Sequence, residues 1–167
     1  MSYLDTSVII AYCIERDPQH NKAVKIIEKL KETSKFYAST LTLVELYSWL
    51  SRNIQKYKLP PGIEEILDYE SKLRLTITYC LQILSTSIFS DEAKLTSIGN
   101  LKLFYKFSEA INLAAKLKLK TLDLLHITYA SQLAEEGYVN FFVTFDSDIL
   151  DKKETIQEST GIKIIGE

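Results

Sequence analysis

Histidine and cysteine are scarce: His20, His126, Cys13 and Cys80 are the only ones in 167 residues. None of them has metal-ligand spacing, which excludes a zinc centre of the Cys/His type. The two cysteines lie far apart in the sequence and are expected as buried free thiols in a reducing cytoplasm. Proline occurs only three times. Pro60-Pro61-Gly62 is the clearest break, expected as a loop between helices inside one unit spanning 1–167. No apolar run is long enough for a bilayer: the longest uncharged stretch, 75–90, is interrupted by Thr, Ser and Gln. No basic stretch precedes Tyr3-Leu4, so no signal peptide is expected. A basic surplus is also missing. Twenty Lys and Arg stand against 22 Asp and Glu, a formal charge of −2, and this balance decides little about partners. The lysines at 116, 118 and 120 and at 22, 25 and 29 are read as solvated helix surface.

What the chain does have is ordinary globular content, 46% hydrophobic and 25% charged, enough for a real core. Ser2-Tyr3-Leu4 is short, apolar and followed by Asp5, the pattern of a buried strand with a carboxylate at its end. Residues 8–14 read as a short helix. Residues 20–32 place Ala23, Val24, Ile27 and Leu30 on one stripe, as a helix does. Phe36-Tyr37-Ala38-Ser39 reads as a strand. Over 42–54 the apolar face is Leu43, Leu46, Tyr47, Leu50 and Ile54, with Glu45 off that stripe. Core packing is the expected use of Tyr47, while Trp49 is a candidate for a groove. In the long middle segment, 63–73 reads as helical and Thr76-Ile77-Thr78-Tyr79 as β-favouring. Further helices are expected at 107–117 and 122–135, the latter stopped at Gly137. Strands are expected at 140–144 and 163–165. Strands separated by helices imply crossovers, hence an α/β fold with a mostly parallel sheet and helices on both faces.

Ligands of such sheets sit beyond the carboxyl ends of the strands. Asp5 and Asp146 fall at that edge, and Glu45 and Asp123 fall in the first turns of helices that start there. Each acid also has a local explanation. Asp5 could cap the helix that follows it. Glu45 stands at capping-box spacing from Thr42. Asp123 would favour a helix N-terminus, and Asp146-Ser147-Asp148 could be a polar turn. Four acids on one rim are harder to explain this way, because like charges raise each other's pKa and oppose folding. A bound cation offsets that cost, and carboxylate oxygens suit Mg²⁺ or Mn²⁺. His126 lies one turn after Asp123 and shares a stripe with Leu122, Leu125, Tyr129 and Leu133. It is read as a satisfied core histidine, not as a base.

Four segments in order, Tyr3-Leu4-Asp5-Thr6-Ser7, Thr42-Leu43-Val44-Glu45-Leu46, Leu122-Asp123-Leu124-Leu125-His126 and Phe142-Val143-Thr144-Phe145-Asp146-Ser147-Asp148, resemble the PIN-domain nucleases across nearly the whole chain. The likeness is greatest to the toxin, or VapC-type, branch. The resemblance implies a three-layer α/β/α sandwich, dependence on Mg²⁺ or Mn²⁺, and hydrolysis of RNA. It also implies a homodimer held inactive by a small antitoxin protein. It assigns Asp5, Glu45, Asp123 and Asp146 to the acidic quartet and Asp148 to a secondary acidic position. Ser7 and Thr144 become hydroxyls that hold the carboxylates in place. Two rivals stay open. A haloacid-dehalogenase-like phosphatase also carries an Asp after its first strand, but its second Asp corresponds here to Ser7. A non-catalytic RNA- or protein-binding module on the same scaffold, including an RNA-processing factor, is the other.

Overall fold

The computed structural model describes residues 1–56, 62–65, 68–90 and 93–166. Its core is a five-stranded sheet formed by β1 (Ser2–Leu4), β2 (Phe36–Ser39), β3 (Thr86–Phe89), β6 (Phe141–Val143) and β7 (Lys163–Ile165), in the order β3-β2-β1-β6-β7. All four pairings are parallel. Parallel neighbours need crossovers, and helices supply them: α1 (Thr6–Cys13), α2 (His20–Lys31), α3 (Thr40–Asn53) and α4 (Tyr69–Ile83) early in the chain, then α5 (Tyr105–Leu117), α6 (Thr121–Glu135), α7 (Ser147–Leu150) and α8 (Lys153–Thr160).

The two-residue period of the strands sorts these helices into layers. Leu4, Phe36, Ala38 and Val143 face one core with Val8, Ile27, Leu46, Leu50 and Ile77 of α1 to α4. Tyr3 and Phe142 face the other, with Leu117, Ile127, Leu133, Ile149 and Ile156 of α5 to α8. The sheet is therefore covered on both sides, the α/β/α arrangement expected of short, uninterrupted apolar strands.

The middle segment departs from the sequence expectation. Helix α4 starts only at Tyr69, after Asp68 caps it by accepting from the amides of Glu70 and Ser71. The run Thr76–Tyr79 lies inside that helix. Leu73, Thr76, Ile77 and Cys80 make a buried stripe at helical spacing, and the Thr76 hydroxyl donates to Lys72 O at 2.8 Å. Burial of the stripe overrides the β preference of the isolated residues. Strand β3 and an antiparallel hairpin, β4 (Leu95–Ile98) with β5 (Leu101–Phe104), were not expected. Pro60 and Pro61, read as a loop, lie outside the described residues.

Cys13 and Cys80 are free thiols, as expected; Cys80 is buried and Cys13, also expected to be buried, is only partly so. Though distant in sequence they meet in one core, and the Cys80 partner together with burial pushes the Cys13 thiol well above its usual range. Among the described residues, no helix is long and apolar enough to cross a membrane.

Candidate metal centre

The chain leaves β1 toward β2 and leaves β6 toward β7, on opposite sides of the sheet. Helix α1 packs in one layer and α7 in the other. The carboxyl ends of these adjacent central strands thus flank a crevice where strand order reverses, the place where α/β sheets hold ligands. A cleft of about 620 Å³ opens there, lined by Asp5, Glu45, Asp123, His126 and Asp146 among others.

Asp5 follows β1 directly and is 7% exposed. Its side chain does not cap α1. Oδ2 instead accepts from Ser7 Oγ at 2.6 Å and from Thr144 Oγ1 at 2.7 Å. The same two hydroxyls hold the opposite strand end: Phe145 N donates to Ser7 Oγ, and Asp146 N donates to Thr144 Oγ1. Ser7 and Thr144 therefore tie the β1 and β6 ends together through one carboxylate.

Glu45 is on α3, whose capping box is formed by Ser39 and Thr42. The Thr42–Glu45 box that the spacing allows does not form: Ser39 is the cap, so Thr42, three residues on, is the reciprocating residue. Glu45 Oε2 instead accepts from Thr6 Oγ1 at 2.5 Å and from His126 Nε2 at 2.6 Å. Burial opposes its charge, but the His126 bond and charge, with Thr6, outweigh it and hold the carboxyl below its usual range.

Asp123 lies in the first turn of α6. Its Oδ2 is buried and has no hydrogen-bond partner among the described residues. Burial first, then the charges of Asp146 and Asp5, push its pKa up to about 6, against weaker opposition from Lys120 and His126. Asp146 caps α7 by accepting from Asp148 N at 2.7 Å, so its local explanation also holds. Asp148 pairs with Lys120 Nζ at 2.6 Å, which holds its carboxyl below the usual range. It is absent from the residues lining the cleft.

The acids fall into two triads, Asp5, Glu45 and His126, and Asp123, Asp146 and Asp148, each with donor atoms within 4.8 Å of one another. All of the first triad and Asp123 and Asp146 of the second border one cleft, and Asp123 senses Asp5 and His126 across it. His126 is buried and satisfied, as expected, and its partners belong to the cleft: Nε2 meets Glu45 and lies 3.8 Å from Asp5 Oδ1. Its spacing of one turn after Asp123 was the available signal. Tyr3 and Thr6 also carry polar contacts to this centre that the sequence reading passed over. Tyr47, expected in the core, is 38% exposed, whereas Trp49 packs against the core and borders the cleft.

An unpartnered buried oxygen, mutual repulsion among acids and a set of hard donors fit a divalent cation. Asp5, Glu45, Asp123 and Asp146 would hold it. Fold and site together define a doubly wound α/β protein with an acidic crevice at its switch point. The signature of the PIN domain matches residues 2–96, a stretch that contains Asp5 and Glu45, and the chain belongs to the PIN-domain family. Among solved structures, VapBC2 from Rickettsia felis bound to a DNA fragment from their promoter is similar at a TM-score of 0.57 and 15% identity, covering 99% of this chain and 98% of that one. That likeness establishes shared fold. A comparison with curated proteins gave no match.

Proposed function

We propose that this chain is a Mg²⁺- or Mn²⁺-dependent endoribonuclease, with Asp5, Glu45, Asp123 and Asp146 as its catalytic and metal-holding residues. Asp148 contributes at the margin, and Ser7 and Thr144 fix Asp5. The observation that carries the reading is Asp123, whose buried oxygen has no partner among the described residues while burial, Asp146 and Asp5 raise its pKa to about 6. A divalent cation supplies relief of that repulsion, activation of water and stabilisation of the leaving oxygen. The chain's own work is to orient oxygens: the hydroxyls of Ser7 and Thr144 aim Asp5, and Thr6 with His126 aims Glu45.

The whole of 1–167 is read as one PIN unit, since Tyr3 stacks on Phe142 and both halves feed both cores. The biological role we favour is the toxin of a type II pair, cytoplasmic, homodimeric and restrained by a small antitoxin. The motif resemblance and the VapBC2-like fold support this over general RNA processing. The exposed Leu95, Leu101, Phe104 and Phe107 are surface of the kind that protein partners cover. A dehalogenase-like phosphatase is disfavoured because Ser7, at the position of its second acid, spends its hydroxyl on Asp5.

The test is cleavage of RNA by purified protein in Mn²⁺ and in chelator. Wild type is expected to cut only with metal, and Asp5→Asn and Asp123→Asn are expected not to cut while staying folded. Equal cutting by all three proteins would remove the assignment.

A further inference from the structure

The residue nearest the acids that the proposed function leaves without a role is Tyr3, which bonds the ring of His126. Tyr3 is fully buried on the central strand, its ring stacked on Phe142 at 5.3 Å between centroids. Its hydroxyl meets three groups: Ser39 Oγ at 2.7 Å, Thr42 Oγ1 at 3.3 Å and His126 Nδ1 at 2.9 Å. Ser39 and Thr42 are the capping box of α3, the helix that carries Glu45 one turn further on. From His126 the path continues through Nε2 to Glu45 Oε2 at 2.6 Å. The bonds therefore close a ring: the start of α3, Tyr3 on β1, His126 on α6, and back to α3 at Glu45. Each member sits close to one of the acids. Tyr3 is two residues before Asp5, His126 is one turn after Asp123, and Glu45 is itself the third.

A carboxylate has no proton to give, so at 2.6 Å the hydrogen must reside on Nε2. In neutral imidazole Nδ1 is then the acceptor, and the buried Tyr3 hydroxyl is its donor. In the charged ring both nitrogens donate. In either state Nε2 points its hydrogen at Oε2, and the aim of the ring is set by Tyr3. Together with Thr6, His126 occupies Oε2, and neither donor touches Oε1.

We infer that Tyr3 and His126 are the positioning residues of this centre: Tyr3 orients His126, and His126 fixes Glu45 in the rotamer that turns Oε1 to a cation. The inference rests on the metal-centre reading and adds to it which uncharged groups make the centre competent. Outer partners of ligating carboxylates typically contribute about 10–100-fold in metal affinity or activity.

The experiment measures Mn²⁺ binding by calorimetry, alongside RNA cleavage, for wild type, Tyr3→Phe, His126→Gln and His126→Leu. Tyr3→Phe keeps the ring and its stacking and deletes only the hydroxyl. We expect it to weaken Mn²⁺ binding about 10-fold and to lower kcat with KM for RNA unchanged. A Gln amide can replace the Nε2 donor, so His126→Gln recovers binding that His126→Leu loses. Wild-type Mn²⁺ binding and kcat in Tyr3→Phe overturn the inference, as does equal loss in the Gln and Leu variants. Wild-type protein that binds no Mn²⁺ fails differently: it removes the metal centre itself, and the inference with it.

Discussion

At the carboxyl ends of β1, β2 and β6, polar side chains are buried and engaged: Tyr3, Ser39, Thr42 and Thr144 are all 0% exposed, and every one bonds another side chain. In the β4–β5 hairpin the reverse holds. Leu95, Leu101 and Phe104 are 61%, 65% and 53% exposed, and Leu95 faces Phe104 across the ladder. Burying a hydroxyl is costly unless it is bonded, so the first region holds together only as a complete network. The second region holds on backbone pairing and modest packing against α5, and a two-stranded hairpin alone is marginal in water. The acids stand where positions are over-determined.

The largest effect that sharpens this contrast is expected from Asp5→Asn. Since even outer partners of a ligand cost about 10–100-fold, loss of Asp5 should lower metal-dependent RNA cleavage by more than about 100-fold, with the circular dichroism spectrum unchanged. Next comes Thr144→Val, which keeps the shape but deletes the donor to Asp5 Oδ2. Cleavage should fall about 10-fold. Cleavage at the wild-type rate would mean that Ser7 alone holds the carboxylate.

A smaller effect concerns pH. Because the folded pKa of Asp123 is raised from 3.8 to about 6, its ionisation costs stability that is absent below about pH 4 and fully felt above pH 6. Metal-free Asp123→Asn should therefore be more stable than wild type at pH 8. The gain is about 1 kcal/mol, discounted for the solvent that reaches the group. Thermal unfolding in chelator at pH 8 and pH 4 checks this, with the gain vanishing at the lower pH. The smallest effect is expected from Leu101→Lys on the hairpin: stability within about 0.5 kcal/mol of wild type and unaltered cleavage. A loss of more than that in denaturant unfolding would show that the hairpin is no bystander to the fold.

The same contrast explains what could be read from the sequence. The central strands were legible because each is a short apolar run ending in a polar residue, as at Leu4-Asp5, and because a parallel sheet buries both faces. The acids were legible because strand ends and helix starts meet at one edge. Their individual duties were harder. Asp146 does cap its helix, Asp5 does not, and only neighbours distant in sequence decide between the two. His126 was legible as a buried, satisfied histidine but its partners were not, because a side chain on an apolar stripe looks the same whether its ring nitrogens meet backbone or a carboxylate. Strands β3, β4 and β5 leave their side chains exposed or half-buried, so no buried apolar run marks them, and Thr76–Tyr79 carries strand-forming residues that a helix has buried.

The partners of Asp5 lie very unequally along the polypeptide: Ser7 is two residues away and Thr144 is 139. Strand β1 can meet β2 early in translation, but the neighbour that completes the crevice emerges last. A ribosome must therefore deliver the chain through Thr144 before Asp5 has its final partners. Until β6 has been made, a nascent chain holds its acids without the crevice that gathers them.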